Sequence, residues 1–361
     1  MKTRMFLLAA AAAALAGCAQ NEVIDIPQRA NGFDPYVGNT TRAAAKDTDL
    51  SALQAEGAGF IVLGGYEDSQ TYVPVFDGTN ETGSHITWNK SSWEYSPINY
   101  WLEGKTYKFV AYAPAKLQEG DLFDIDYAGN KLKMKDGGTF TADGETDLVV
   151  AEGKPQGYPV AAEPVQMETV GFKFYHALSK VKFTFINGWR NAVTLKITNI
   201  KLSNVKNTGS LTTSGTMAQG SDKIQLSAWS GQTGTADYED KADGMNTDEY
   251  EASYEFENFL LPTVLDDSQM KLTFTVQVTN SQGTSPDLGA GAGNPVNKEV
   301  VIPKDVVTEW MPGYAYNYKL TISGSTFGLK PIQFDDIDVD SEWGNGGEDD
   351  MDEGIEVVPG A

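Results

Sequence analysis

The single cysteine of the chain, Cys18, is the residue whose chemistry the sequence defines best. It follows Leu15, Ala16 and Gly17, and this segment looks like a bacterial lipobox. In a lipobox the thiol is diacylated, the bond before the cysteine is cut, and the new amino terminus is acylated. We therefore expect Cys18 to be a lipidation site. The alternative is an ordinary signal peptide with an incidental cysteine.

The residues before Cys18 have the layout of an export signal. Lys2 and Arg4 precede an apolar run, residues 5–15, that is too short to cross a bilayer as a stable helix. Residues 1–17 are therefore predicted to be a lipoprotein signal peptide that is removed. Two or more acyl chains on one residue give stable membrane anchoring. The sequence thus predicts a lipoprotein whose folded part works outside the cytoplasm.

Arg42 is the second residue at which we expect a covalent change. It ends a polar leader, residues 18–42, and small residues beginning with Ala43 follow it. An arginine before small residues in an exposed polar segment is a good substrate for an arginine-specific protease. We therefore expect cleavage between Arg42 and Ala43. Within the leader, the apolar residues of 23–26 predict one short strand.

The other residue types predict no catalytic or metal site. His85 and His176 are the only histidines, and with the thiol acylated no zinc site of cysteine and histidine can form. His176 lies among aromatic residues and is expected to be a packed structural histidine. The aspartates of residues 335–340 match no EF-hand, which favours a solvated strand face over calcium ligands. We therefore predict no cofactor, no metal and no enzyme activity.

The charge and composition exclude some partners and favour one fold class. Lys plus Arg total 27 and Asp plus Glu total 50, so the formal charge is −23. Such a surface repels nucleic acid and anionic lipid headgroups, so the acylated cysteine has to supply the membrane contact. No stretch after the signal repeats apolar residues at helical spacing over three turns. The predicted fold class is all-β.

Strand signals bounded by Gly, Pro, Asn or Asp recur along the chain, as in sandwiches and barrels. The strongest, residues 172–185, changes phase near 177–179, which predicts a bulge or bend. A cluster of Gly and Pro in residues 153–164 predicts a boundary between two domains at 160/161. The other predicted strands are residues 60–63, 72–76, 86–88, 106–112, 122–127, 131–134, 148–151, 193–202, 224–228, 254–261, 270–278, 299–302, 314–322 and 332–339.

Three segments carry motifs that go beyond a generic β pattern. Residues 86–114 are rich in aromatic residues and end in F-V-A-Y-A-P. Residues 174–181 are F-Y-H-A-L-S-K-V. Residues 310–318 are W-M-P-G-Y-A-Y-N-Y, and residues 332–343 have the pattern I-x-F-x-x-I-x-V-x-x-x-W. In order and spacing these segments resemble the fimbrillin family of Bacteroidota, the FimA- and Mfa-like subunits of type V pili.

The resemblance implies a fold and a role. The fold would be two transthyretin-like β-sandwich domains, residues 43–160 and 161–343, after the signal and leader. The role would be that of a structural or adhesive fimbrial subunit that reaches the surface of the outer membrane as a lipoprotein. In the family, an arginine-specific protease trims the leader, which opens a groove in the first domain. A strand from a neighbouring subunit then fills the groove.

For this chain the resemblance implies a cut after Arg42, with the strand of residues 23–26 as the part that leaves. The implied partners are other fimbrial subunits in a homo- or hetero-polymer, the outer membrane through the lipid anchor, and the protease. The processed protein would lie in the fimbrium. No ligand on a host or bacterial surface is indicated.

Residues 344–361 form an acidic, glycine-rich tail that turns apolar at Ile355, Val357 and Val358. Ile355 and Val357 share one face of an extended segment, so they are candidates for a donor strand that enters the next subunit. The alternative is a frayed tail, since Pro359 restricts the segment to an edge position.

A second function from another class stays open at this point. It is a monomeric surface lipoprotein that binds glycan, with Trp88, Trp93 and Trp101 as a stacking platform. The competing interpretation of these tryptophans is that they are core residues of the first sandwich.

Overall fold

The computed structural model describes residues 32–37, 47–77, 82–161, 167, 169–190, 193–219, 223–265, 270–280, 295–323, 336–340 and 355–356. Within these ranges the chain is almost entirely β, which confirms the predicted fold class. One short α-helix, α1 (Leu50–Leu53), and three 3-10 turns at Ala115–Gly120, Met217–Gln219 and Leu226–Ala228 interrupt the strands. In this described part no helix has the length and apolar character needed to span a membrane.

The strands of the first half, in chain order, are β1 (Phe33–Val37), β2 (Phe60–Asp68), β3 (Thr71–Phe76), β4 (Ser84–Trp88), β5 (Trp93–Glu94), β6 (Thr106–Ala113), β7 (Phe123–Asp126), β8 (Lys131–Met134), β9 (Phe140–Thr141), β10 (Val149–Glu152), β11 (Gln156–Gly157) and β12 (Val170–His176).

The strands that follow are β13 (Ser179–Asn187), β14 (Val193–Val205), β15 (Thr208–Leu211), β16 (Trp229–Thr233), β17 (Ala236–Glu239), β18 (Met245–Thr247), β19 (Ser253–Leu260), β20 (Thr263–Val264), β21 (Lys271–Asn280), β22 (Val296–Val301), β23 (Glu309–Trp310), β24 (Ala315–Ile322), β25 (Asp336–Asp340) and β26 (Ile355–Glu356).

The largest sheet in the described ranges has the order β1-β12-β10-β6-β2-β4-β5, with β3 beside β2 and β11 beside β6. Its pairs are antiparallel except that β1 lies parallel to β12. Alternate residues of β2 pack on opposite faces, Phe60 and Val62 on one and Ile61 and Leu63 on the other. Both faces are therefore buried. We call the face that includes Phe60 the aromatic face.

Two sheets of the second half enclose one core. Their orders are β19-β13-β24-β25-β26 and β17-β14-β21-β22, with β18 beside β14. Val181, Phe183 and Phe185 of β13 contribute to this core, and so do Leu272 and Phe274 of β21. Since side chains alternate across a strand, the polar residues between them face outward. This is the sandwich that the alternating pattern predicts.

The closing motif, residues 310–318, has a local physical explanation. The buried Trp310 indole N–H donates to the Tyr318 hydroxyl at 2.9 Å, and the Met311 backbone N–H donates to the Tyr316 hydroxyl at 2.8 Å. Gly313 has a φ of 71°, a value that favours glycine. The motif therefore folds a tight turn back onto the first residues of β24.

A third core lies between the two halves of the chain. It combines Ile61 and Val110 of the first sheet with Leu211, Trp229 and Phe259 of later strands. The Trp229 indole N–H also donates to the Ala177 carbonyl oxygen at 2.7 Å. The predicted division at residues 160/161 stays a prediction. The first sheet includes β12, which follows that point in sequence.

The structure confirms one sequence-based expectation in part and corrects another. Of the bulge or bend expected near residues 177–179, the structure shows a bend at Leu178, where the chain passes from β12 to β13 in a different sheet. The strand predicted at residues 224–228 is wrong, since Leu226–Ala228 is a 3-10 turn and β16 follows it. The strand predicted at residues 23–26 lies outside the described residues.

Candidate functional site

The candidate site is the place on the first sheet where β1 lies. β1 belongs to the predicted leader, residues 18–42, and it is the end strand of the sheet, pairing with β12. The Val170 N–H donates to the Gly32 carbonyl oxygen at 2.8 Å, and the parallel register continues from Phe33 beside Val170 to Val37 beside Phe174. The predicted leader thus supplies the strand at one edge of the sheet.

Phe33 anchors β1 in a pocket of aromatic rings. Its centroid lies 5.1 Å from Phe76, 5.6 Å from Tyr95, 5.7 Å from Phe109 and 5.8 Å from Phe172. We call these rings the Phe33 pocket. Most of the contacts are edge-to-face, an arrangement that aromatic quadrupoles favour. Phe33 is only 5% exposed, so a residue of the predicted leader forms part of the core.

The surroundings of the pocket are apolar. Burial raises the pKa of Tyr95 to about 12, as an apolar environment does for a phenol. That hydroxyl donates to the Asn99 carbonyl oxygen at 3.2 Å. Pro35, the next β1 residue on the same face as Phe33, is buried as well. If β1 were to leave, it would expose a groove with one ring-sized pocket.

The three tryptophans differ in burial. Trp101 is buried against Tyr107, with ring centroids 4.8 Å apart. Trp93 packs on Phe60 at 5.2 Å and on Trp88 at 5.2 Å. Trp93 and Trp101 thus support the aromatic face, in agreement with their interpretation as core residues, whereas Trp88 is half-buried. The glycan-binding alternative stays a prediction.

A buried ion cluster fixes the chain shortly after the predicted cleavage site. The Lys180 ammonium donates to both carboxylate oxygens of Asp47, at 2.8 and 3.0 Å, and lies 3.4 Å from Glu257. Burial raises the pKa of Glu257 above its ordinary range, Lys180 opposes the shift, and Asp47 reinforces it. The lysine therefore holds two carboxylates in a place where water screens them poorly.

A second buried network holds the next residue. The Thr48 N–H donates to Asp147 Oδ2 at 2.8 Å, and the Thr48 hydroxyl donates to the Asp147 carbonyl oxygen at 2.9 Å. The other Asp147 oxygen, Oδ1, lies 3.0 Å from His176 Nδ1. His176 is thus buried and paired, as expected of a structural histidine.

The two networks explain the motif of residues 174–181. Its polar members His176 and Lys180 are at the end of β12 and the start of β13. Lys180 contacts Asp47 directly, and His176 is linked to Thr48 through Asp147. We call this arrangement the junction clamp. It fixes the chain to the body of the protein only five positions after Arg42. The segment after the cut is therefore held independently of β1.

The structure is silent on several of the predicted site residues. Cys18, Arg42, Ala43, Val357 and Val358 lie outside the described residues. Ile355 is described at the backbone level. It belongs to β26, which pairs antiparallel with β25 of the same chain, with Ile355 beside Ile337.

The alternative metal site finds no support. Within the described ranges no group of three or more His, Cys, Asp or Glu side chains is placed to hold a metal ion. Asp338 of β25 instead forms a salt bridge of 2.6 Å with Lys319.

β1 (Phe33–Val37) was not among the strands predicted from the sequence. The signal that was available is the alternation of Phe33, Pro35 and Val37 between Gly32 and Gly38. Pro35 weakened it, since proline is confined to edge positions of a sheet. In the structure Pro35 does lie in an end strand.

The chain is thus an all-β protein in which a segment of the predicted leader completes the first sheet and contributes Phe33 to its core. The model of the family described as fimbrillin-like matches residues 41–334. The chain belongs to the fimbrillin-like family. This agrees with the family resemblance of its three motifs.

Two similar proteins add detail. The chain is 27% identical over 194 residues to the fimbrium subunit Fim1C of Phocaeicola vulgatus, a match that covers 50% of each protein. It therefore spans about half the length of that relative. A crystal structure of a fimbrial protein from Bacteroides vulgatus superposes with a TM-score of 0.54 at 17% identity, covering 87% of this chain and 99% of the other. This second likeness supports the fold alone.

Proposed function

We propose that the protein is a structural or adhesive fimbrial subunit, exported as a lipoprotein and assembled by strand exchange after proteolysis at Arg42. The observation that carries the proposal is the position of Phe33. A residue of the predicted leader lies in the core of the first sheet, among the rings of the Phe33 pocket. A segment that is both removable and part of the core is what strand exchange requires.

The energetics support exchange over simple loss of the leader. Removing β1 leaves the edge of β12 without its partner and uncovers the pocket. Burial of each large apolar side chain contributes about 1.5–3 kcal/mol, and main-chain hydrogen bonds add to this. The groove therefore favours a replacement strand. Main-chain bonds give such a strand affinity, and side-chain pockets set its register.

The junction clamp supports the proposed position of the cut. Cleavage after Arg42 separates β1 from the body, while Asp47 and Thr48 keep their buried partners. The processed chain would therefore begin with a short segment from Ala43 that is fixed at Asp47. The partners in this scheme are an arginine-specific protease and other fimbrial subunits, in a homo- or hetero-polymer. We also propose the division into residues 43–160 and 161–343 as the two domains.

Arg42→Ala tests the proposal. The variant should be exported and folded but absent from the sheared fimbrial fraction, because β1 stays attached and occupies the groove. Fimbriae sheared from cells would be compared by immunoblot and amino-terminal sequencing. Arg29→Ala is the matched control, because a cut after residue 29 would leave β1 on the chain. Normal incorporation of Arg42→Ala with its leader intact would refute the proposal.

Cys18 is proposed as the membrane anchor. Replacing it with alanine should prevent acylation, since no other thiol is present, and should leave an unprocessed or soluble form. Fractionation of cells into soluble and detergent-soluble membrane fractions measures this. A variant that is still processed and membrane-bound would show that the anchor lies elsewhere.

The tail is proposed as the donor to another subunit, with Ile355, Val357 and Val358 as its apolar residues. In the structure β26 pairs with β25 of the same chain through only two residue pairs, and a contact of this size can be released. Deleting residues 354–361 should abolish incorporation of the next subunit and change the free energy of unfolding by no more than about 1 kcal/mol.

The assay for the tail is the ladder of sheared fimbriae on gels run without boiling. Two variants sharpen it. A combined Ile355→Asp and Val357→Asp variant should behave as the deletion does. Met351→Asp, which adds a similar charge in the acidic linker, should assemble normally. An unchanged ladder from the deleted chain would point to another donor.

A further inference from the structure

The Phe33 pocket has a size and chemistry that a replacement strand must match. Its four rings come from β3, the segment after β5, β6 and β12, so four separate parts of the chain converge on one side chain. Phe76, Phe109 and Phe172 are almost completely buried.

The walls of the pocket are held by one another as well as by Phe33. Phe76 lies 5.2 Å from Tyr95 and 5.6 Å from Phe109, centroid to centroid. Walls that are packed in this way collapse only partly around a smaller side chain, and the gap that remains costs free energy in proportion to its volume.

The rest of β1 places few demands on sequence. The Gly32 carbonyl oxygen accepts from Val170, so in the alternation of a parallel ladder Asp34 and Tyr36 bond to β12 through their backbones. Any non-proline residue makes these bonds. Selectivity therefore depends on the side chains that point into the groove, and among these Phe33 contacts four aromatic rings.

The tail of this chain lacks the side chain that the pocket fits. Residues 344–361 contain no Phe, Tyr or Trp, and their largest apolar residues are Met351, Ile355, Val357 and Val358. A second copy of the chain would therefore place an aliphatic side chain where four rings surround an aromatic one.

We propose that the Phe33 pocket selects the donor: the groove accepts an extended segment of a different fimbrial subunit that carries an aromatic side chain at the position of Phe33. This inference rests on the proposed strand exchange and goes beyond it. Under this proposal the tail of one copy does not fit the groove of an identical copy. The chain therefore takes part in a hetero-polymer with a defined order of subunits. Its own tail then serves a subunit whose groove takes aliphatic side chains.

Peptide exchange tests the proposal on the full chain. Arg190 is exposed, so an Arg190→Lys background confines an arginine-specific protease to the leader. The protein is cleaved after Arg42 and incubated with fluorescein-labelled peptides, and binding is followed by anisotropy. The peptides are residues 30–40, the same segment with Phe33→Tyr, Phe33→Leu or Phe33→Ala, and residues 350–361. All pocket residues stay unchanged, so folding of the acceptor is not at issue.

The aromatic peptides should bind within about threefold of each other. The Phe33→Leu and Phe33→Ala peptides should bind about tenfold and about 100-fold more weakly, and the tail peptide should fall with them. If the tail or Phe33→Ala peptide binds as tightly as the peptide of residues 30–40, the selectivity is refuted while strand exchange stands. If the peptide of residues 30–40 itself does not bind, the proposed function is refuted and this inference with it.

Discussion

Replacing Lys180 with methionine should lower the free energy of unfolding by about 3–5 kcal/mol. Only 10% of the Lys180 side chain is exposed, and its ammonium is the charge that balances the buried Asp47 and the nearby Glu257. Methionine fills a similar volume, but it removes the ammonium group that contacts both carboxylates. The measurement is guanidinium unfolding followed by circular dichroism.

Lys182→Met is the matched control for Lys180→Met. Lys182 lies two positions along β13 on the same face, and its partner Glu255 is 53% exposed. A surface pair of this kind is worth about 0–1 kcal/mol. Equal losses of unfolding free energy in the two variants would show that the Lys180 cluster stabilises the protein no more than a surface ion pair. The junction clamp would then not hold the segment at Asp47.

Phe33→Ala should destabilise the uncleaved protein by about 3–5 kcal/mol, the usual loss for a buried phenylalanine. The pocket loses its central ring, and the rings around it are themselves packed against each other. The measurement is guanidinium unfolding of the leader-containing chain, followed by tryptophan fluorescence.

Cleavage supplies an internal control for Phe33→Ala. After a cut behind Arg42 and removal of the leader, the wild-type and variant products have identical sequences and should unfold identically. The uncleaved variant should lie close to this product in stability. A Phe33→Ala protein as stable as the uncleaved wild type would show that the leader residue is not part of the core.

Local sequence patterns predicted much of the sandwich. In β24, Tyr316, Tyr318, Leu320 and Ile322 are buried at every second position, so one strand carries its own signal. The same holds for β21, where Leu272, Phe274, Val276 and Val278 alternate. Such strands are predictable because one face of each meets a core and the other meets water.

Pairing over long distances was not predictable from local pattern. The phase change between His176 and Ser179 is compatible with a bulge or with a change of sheet. The pairing decides between the two, because β12 pairs with Val150 of β10 and β13 pairs with Phe256 of β19. Likewise, Phe33 gains its burial from Phe76 and Phe172, which are far away in sequence.

The candidate site was predicted in outline and missed in detail. The motif containing His176 and Lys180 was recognisable from its order of residues. Its link to Asp47, and through Asp147 to Thr48, is not visible in the sequence. Neither Asp47 nor Thr48 stands out in sequence. The leader was expected to supply a strand, and the strand that the structure describes lies nearer to Arg42 than expected.

Hydrogen exchange at β12 tests whether β1 is a removable part of the first sheet. The Val170 N–H donates to Gly32, and the ladder places the Phe172 and Phe174 amides against β1 in the same way. In the Arg190→Lys background, cleavage after Arg42 and removal of the leader should strip these amides of protection. Those of Val181 and Phe183 in β13 should be unchanged, and adding a peptide of residues 30–40 should restore protection in β12. Undiminished protection of the Val170, Phe172 and Phe174 amides in the leader-free protein would show that removal of β1 opens no groove beside β12.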